Sequence, residues 1–293
     1  SFETQHLYKM IVHYALSAPI RKPNYMPIFQ LVLVALIQGI TEFLPVSSSG
    51  HLILLPSLSG MDDQGQFIDV AAHIGTLTAV IVFFWSDVRV GLLGLPRLMS
   101  GHADTPGSKL ALGLMIATIP TILFGVVLHF TGLSDSLRSI TVIGWTMLGF
   151  GIVLYLADQK GHTEKTINDW GVKDALIMGL WQMLALIPGT SRSGITITGS
   201  RLLGYNRTNG ARVSMLMSIP TIIASGVLLG SEMAIDANAT VIRDASIVAV
   251  LSMLSALVAL SLMMRLLRSV SFTPYVIYRV ILGLILLAIA YLN

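Results

Sequence analysis

Long apolar stretches alternate with short polar ones along this chain. Six stretches approach the ~20 residues that a bilayer span requires. They are 68–86, 110–130, 139–157, 211–231, 245–265 and 275–292. Two further regions begin apolar and then break. Residues 28–44 run up to Pro45 and resume over 52–58, and residues 174–187 run up to Pro188 and resume over 195–204. The breaks read Pro45-Val-Ser-Ser-Ser-Gly-His51 and Pro188-Gly-Thr-Ser-Arg-Ser-Gly194. Hydrocarbon tolerates irregular backbone only where protein buries it or where it lines a polar cavity. Each region is therefore expected to form a helical hairpin that enters the membrane, turns at its break and leaves on the same side.

The two breaks are related. At an offset of 144 residues, Gln38 matches Gln182, Ser47 matches Ser191, Ser49 matches Ser193 and Gly50 matches Gly194. Three spans follow each hairpin. The expected fold is an all-α integral membrane protein. It has six transmembrane helices plus two re-entrant broken-helix hairpins, arranged as two inverted-topology repeats, 27–157 and 158–293, in a single membrane domain. A second echo, Ile119-Pro-Thr121 and Ile219-Pro-Thr221, does not share that offset and carries no weight.

Composition agrees. The chain is 54% hydrophobic and 11% charged, with a mean hydropathy of +0.78. Soluble domains carry roughly a quarter charged residues. There is no cysteine, which excludes disulfides and thiol chemistry. No nucleic-acid motif is present. Residues 1–26 are mixed polar and aromatic and read as an N-terminal extension or a cloning remnant.

Charge tests the hairpins. If both are re-entrant, one side holds Arg89, Arg97, Lys109, Lys160, Lys165, Lys173, Arg201, Arg207, Arg212, Arg265 and Arg268. The other side holds Lys9, Arg21, Lys22, Arg138 and Arg243. Two hairpins that each crossed once would give a weaker bias, so the re-entrant arrangement is preferred. The lysine-rich and arginine-rich side is then cytoplasmic. Arg201, Arg207 and Arg212 are expected to be topology anchors there, with a lesser role at a head group.

The chemistry gathers at the breaks. A helix restarting after a break offers N–H groups and a positive dipole end to an anion. Ser47, Ser48, Ser49 and Gly50 sit at one restart, and Thr190, Ser191, Ser193 and Gly194 at the other. Arg192 adds a multi-donor cation suited to phosphate. Glu42, one helical turn from Gln38, fits general base, metal ligand or counter-ion. His51 lies three residues from Ser48 and fits acid, base or nucleophile. His73 and His129 stand alone in spans and read as packing or polar contacts.

The string Gln38-Gly-Ile-Thr-Glu-Phe-Leu-Pro-Val-Ser-Ser-Ser-Gly-His51 resembles the first signature of the bacterial undecaprenyl-diphosphatase, or bacitracin-resistance, family. Pro188-Gly-Thr-Ser-Arg-Ser-Gly194 resembles its second. The resemblance implies hydrolysis of undecaprenyl diphosphate to the monophosphate and phosphate, recycling a carrier for peptidoglycan. It also implies catalytic Glu42, Ser48, His51 and Arg192, with Ser47, Thr190, Ser191 and Ser193 lining the same site. Gln38, Ser49, Gly50 and Gly194, at or beside the helix restarts, are expected to add substrate contacts. The family commonly has Glu where this chain has Gln38. A Mg²⁺ or Ca²⁺ on Glu42 and Gln38 suits so anionic a substrate. The expected partners are a polyprenyl diphosphate and the bilayer, and the bundle is compatible with a homodimer. The expected location is the bacterial inner membrane, with the site opening to the periplasm. A lipid flippase or secondary transporter is the main rival, because inverted repeats with broken helices also build transporters. An intramembrane serine protease is a weaker one, since no His follows His162.

Overall fold

The structure is a computed structural model and describes residues 26–160, 164–233 and 239–292. The expected N-terminal extension, up to residue 25, lies outside the described residues. The described residues form helices with no extended strand. In chain order these are α1 (Ile28–Thr41), α2 (Ser48–Ser59), α3 (Gly65–Phe83), α4 (Trp85–Met99), α5 (Pro106–Thr131), α6 (Leu133–Leu137) and α7 (Ile140–Lys160). They continue as α8 (Val172–Met183), α9 (Arg192–Leu202), α10 (Arg207–Met233), α11 (Ala239–Leu266) and α12 (Thr273–Leu292).

Six of these, α3, α5, α7, α10, α11 and α12, are long and apolar enough to cross a membrane. They coincide with the six expected spans. The chain is a multi-pass membrane protein, and its surface shows it. Leu123, Val227, Val258 and Ile281 on four of these helices are more than half exposed, as lipid-facing side chains are. The loop expected over 87–109 is not all loop. Helix α4 takes up its first part and packs on α5 through the close approach of Gly94 to the Gly107 backbone. Its apolar positions recur at the helical period, but its Asp, Arg and Gly residues keep it from reading as a span.

Small residues let the helices approach. A Cβ on Gly75 would strike the Ala249 carbonyl of α11, and one on Gly179 would strike Ala117 of α5. Gly283 of α12 meets Gly144 of α7 in the same way. Close backbone contact replaces the hydrophobic drive that lipid removes. The contacts have a two-fold pattern: α1 packs on α11, α8 packs on α5, and α7 packs on α12.

The ends of each broken pair are tied together. Gln30 Nε2, in α1, donates to the Asp62 carbonyl beyond α2 at 2.7 Å. Lys165, before α8, donates its backbone N–H to the Gly204 carbonyl beyond α9 at 3.0 Å, and the Tyr205 hydroxyl donates to Asp174 at 2.6 Å.

All three expected anchors carry carboxylate partners, and one of them is buried. Arg201 is 1% exposed and bonds Asp158 Oδ1 at 3.0 Å, an oxygen that Arg207 shares at 2.8 Å. Arg212 pairs with Asp87. These arginines lock α7, α9, α10 and α4 together. A charge count along the chain cannot see a buried carboxylate partner on another helix.

Candidate active site

Both breaks fold alike. The N-cap of α2 is Ser47 with φ 74°, and the N-cap of α9 is Ser191 with φ 70°. Among the described residues these are the two non-glycine positions with positive φ, a conformation that costs roughly 1–3 kcal/mol and persists only where surroundings enforce it. Each serine hydroxyl accepts the N–H three residues on, Gly50 at 3.2 Å and Gly194 at 3.1 Å. Such caps typically stabilise a helix by about 1 kcal/mol. The N–H groups of Gly50 and Gly194 are therefore taken by caps rather than offered to a ligand.

The two breaks meet. Ser193 Oγ donates to the Leu44 carbonyl at 2.8 Å, across from the second break to the first. Arg192 Nη2 donates to Glu42 Oε1 at 2.8 Å, and Nη1 to the Ser214 carbonyl at 3.3 Å. Its guanidinium lies 5.8 Å from the Phe43 ring centroid. Ser48 Oγ donates to the other oxygen, Glu42 Oε2, at 2.7 Å. Gln38 Nε2 also donates to Oε2, at 3.0 Å. A carboxylate in hydrocarbon is tolerated when charge and hydrogen bonds surround it in this way.

A cavity of about 970 Å³ opens onto this cluster. Its wall includes Glu42, Ser48, Ser49, Ser191 and Arg192. Both helix N-termini thus reach it, and their dipoles favour an anion there. Gln38, Ser47, Gly50, Thr190, Ser193 and Gly194 stand behind the wall and shape it.

His51 is not brought to the cavity. Its Nδ1 lies 2.6 Å from the Ser47 carbonyl, and its Nε2 lies 2.6 Å from the Tyr278 hydroxyl on α12. His73, expected to make packing or polar contacts, makes polar ones and lines the cavity. Its Nδ1 bonds the Asp69 carbonyl at 2.7 Å, and its Nε2 faces Glu42 Oε2 at 3.8 Å. His129 lines the wall too. A lone His in a span gave no motif to find it by.

Two more groups escaped the sequence. Gln182 Nε2 lies between Thr121 Oγ1 at 3.3 Å and Thr221 Oγ1 at 3.0 Å, and all three line the cavity. The set-aside Ile-Pro-Thr echo was thus a signal, because both threonines converge on one amide. Arg279, fully buried, donates to the carbonyls of Gly189 at 3.1 Å and Thr190 at 2.8 Å, and to Pro45 at 3.5 Å. It occupies the gap between the breaks and satisfies carbonyls that a broken helix leaves unpaired.

In this arrangement Glu42 and Gln38 bond protein groups rather than turn their oxygens together towards a cation. Both oxygens of Glu42 already accept hydrogen bonds, and Gln38 turns its NH₂ towards Glu42. Its carbonyl oxygen is buried without a hydrogen-bond partner. No group of three or more His, Asp or Glu among the described residues is arranged to hold a metal.

Similarity to known proteins bears on this site. The family described as Bacitracin resistance protein BacA matches residues 31–285. A protein of Ruegeria sp. (strain TM1040) named undecaprenyl-diphosphatase is 73% identical over 266 residues, covering 91% of this chain and 100% of that protein. One of the same name from Ruegeria pomeroyi (strain ATCC 700808 / DSM 15171 / DSS-3) is 69% identical over 266 residues, with the same coverage of both chains. Undecaprenyl-diphosphatase 1 of Rhodospirillum rubrum is 45% identical over 275 residues, covering 92% of this chain and 97% of that protein. The chain belongs to the BacA bacitracin resistance family.

Proposed function

We propose that this chain is an undecaprenyl-diphosphatase, converting undecaprenyl diphosphate to the monophosphate and inorganic phosphate. The observation that carries the reading is the Ser48–Glu42–Arg192 arrangement, a hydroxyl and a guanidinium on opposite oxygens of one carboxylate at a cavity wall. The isoprenoid tail stays in lipid, and the diphosphate enters the cavity. Arg192 transfers its grip from Glu42 to the phosphate, stabilising the equatorial oxygens in the transition state. Glu42, freed of its counter-ion, accepts the Ser48 proton. Ser48 Oγ then forms a bond to the terminal phosphorus as the bridging P–O bond breaks. Undecaprenyl phosphate leaves, taking the proton from Glu42. Water next attacks the phosphoserine phosphorus and gives a proton to Glu42, beside which His73 stands at 3.8 Å; the Oγ–P bond breaks, Ser48 recovers its proton from Glu42, and phosphate departs. Mg²⁺ or Ca²⁺ is proposed only as a counter-ion arriving with the diphosphate.

The two broken pairs are read as re-entrant hairpins in inverted repeats. The tied ends, Gln30 to Asp62 and Lys165 to Gly204, support this. So does the matching contact of α1 with α11 and α8 with α5. The charge bias favours a bacterial inner-membrane location, with the first hairpin opening to the periplasm. Purified protein should release phosphate from undecaprenyl diphosphate in detergent, with and without chelator. No release, together with diphosphate lipid moving across sealed vesicles, would replace the phosphatase with the flippase. Cysteine variants at Gln66 and Arg268 test orientation: the first should react with an impermeant maleimide in intact cells and the second should not.

A further inference from the structure

His51 is the cluster residue whose position departs most from a catalytic one. Its ring is held at both nitrogens and at neither by a reacting group. Nδ1 faces a carbonyl, so it carries the hydrogen and donates to Ser47 at 2.6 Å. Nε2 is then free to accept from the Tyr278 hydroxyl at 2.6 Å. The two rings stack, with centroids 5.7 Å apart and planes within 8°. Tyr278 is 44% exposed on the outer surface of α12. The imidazole is thus fixed against α12 and outside the cavity wall.

The residue it grips is Ser47, at positive φ and immediately before Ser48. The second break needs the same restraint, yet Ile195 stands at the position that matches His51 at the repeat offset. There Arg279 does the holding, at 3.1 Å to Gly189 and 2.8 Å to Thr190, while its reach to Pro45 of the first break is 3.5 Å. The first break, weakly held by Arg279, has the imidazole instead. Tyr278 and Arg279 are neighbours on α12, so one helix anchors both breaks, one through His51 and the other directly.

We propose that His51 is a positioning residue: fixed between the Ser47 carbonyl and the Tyr278 hydroxyl, it sets the backbone that aims Ser48 and transfers no proton in the reaction. The inference rests on the active-site reading given above. Asn at this position can place an amide N–H where Nδ1 stands, but it cannot serve as acid or base. Phosphate release from undecaprenyl diphosphate by purified protein should separate the roles. His51→Asn should keep kcat within about fivefold of the parent, whereas loss of a true acid–base group costs roughly 10²–10⁴-fold. His51→Leu, which makes neither bond, should lose about fiftyfold or more in kcat with little change in KM, as expected for a misplaced nucleophile. The pH–rate profile of His51→Asn should keep the parent's shape. Tyr278→Phe should lower kcat about two- to fivefold, a single hydrogen bond's worth, and should add nothing in the His51→Asn background. An Asn variant that is folded yet as inactive as the Leu variant, or that loses a limb of the pH profile, overturns the proposal. If His51→Asn does not fold, Tyr278→Phe decides alone: unchanged kcat, or a shifted pH profile, overturns it. Ser48→Ala and Arg192→Lys are assayed alongside. Activity in those two would sink the active-site reading itself, while their inactivity together with a dead His51→Asn would sink only the positioning role.

Discussion

The breaks at Ser47 and Ser191 have one backbone and two chemistries. Both caps have φ near 70°, and both accept the glycine N–H three residues on. Both hydroxyls also face a second serine, Ser49 at 3.4 Å and Ser193 at 3.2 Å. The reactive groups differ completely. At the repeat offset, Leu186 stands opposite Glu42, and Arg192 stands opposite Ser48. One break supplies the hydroxyl and the carboxylate, and the other supplies the cation. Two similar breaks bring two helix N-termini to one cavity, and their different residues make that cavity chemically polar. Two Ser48-like breaks would lack the cation, and two Arg192-like breaks would lack the hydroxyl.

That division of labour can be broken at the second site first. Arg192→Lys should lower phosphate release by about 100-fold or more while the protein still purifies as a folded species, because Lys keeps the charge but loses the planar fork. Near-parent activity would remove Arg192 from the phosphate site. The effect on the carboxylate's other neighbour should be smaller. His73→Ala should cost about tenfold in kcat, below the usual range for a group assisting proton transfer, whereas His129→Ala should change kcat little. Equal losses would assign both to structure. Gln38→Glu sharpens the question of the cation. It places a second carboxylate against Glu42 Oε2, where an NH₂ now stands at 3.0 Å. Like charges at that range need a shared proton or cation, so chelator should lower this variant's activity more than the parent's. Equal chelator sensitivity would show that the pair recruits no cation. The smallest effect belongs to the shared backbone. Ser191→Ala should lower the melting temperature in detergent by a few degrees, in line with a lost cap of about 1 kcal/mol. A larger drop would mean that Ser191 does more than cap.

Most of the frame was legible in the chain, because hydrocarbon punishes exceptions. Six apolar runs gave six spans, and two breaks marked by Pro, Ser and Gly gave the two restarts at Ser48 and Arg192. The clustering of Glu42, Ser48 and Arg192 at the cavity wall was readable because a charged or hydroxyl residue at a break in a span has few structural reasons to be there. What stayed hidden depends on direction around a helix and on contacts between distant helices. His51 and His73 are both single histidines in apolar helices, and nothing in their spacing says that the first turns to α12 and the second to Glu42. Arg279 looks like any arginine near a helix start until the fold places it between two breaks. Arg201 looked like a surface anchor because its partner, Asp158, is 43 residues away. Helix α4 was lost in a loop because its charged and Gly residues keep it from reading as an apolar run, although its apolar positions do recur at the helical period.

The central claim is that Ser48, poised on Glu42 and aimed between the two helix N-termini, attacks the terminal phosphate. The most direct measurement is phosphate release from undecaprenyl diphosphate by purified Ser48→Ala, beside the parent at equal folded concentration. The account predicts a fall of at least about 10³-fold in kcat, as expected when a nucleophile is removed and only binding and charge stabilisation remain. A Ser48→Ala protein that hydrolyses the substrate within about tenfold of the parent would contradict it and assign the attack to water or another residue.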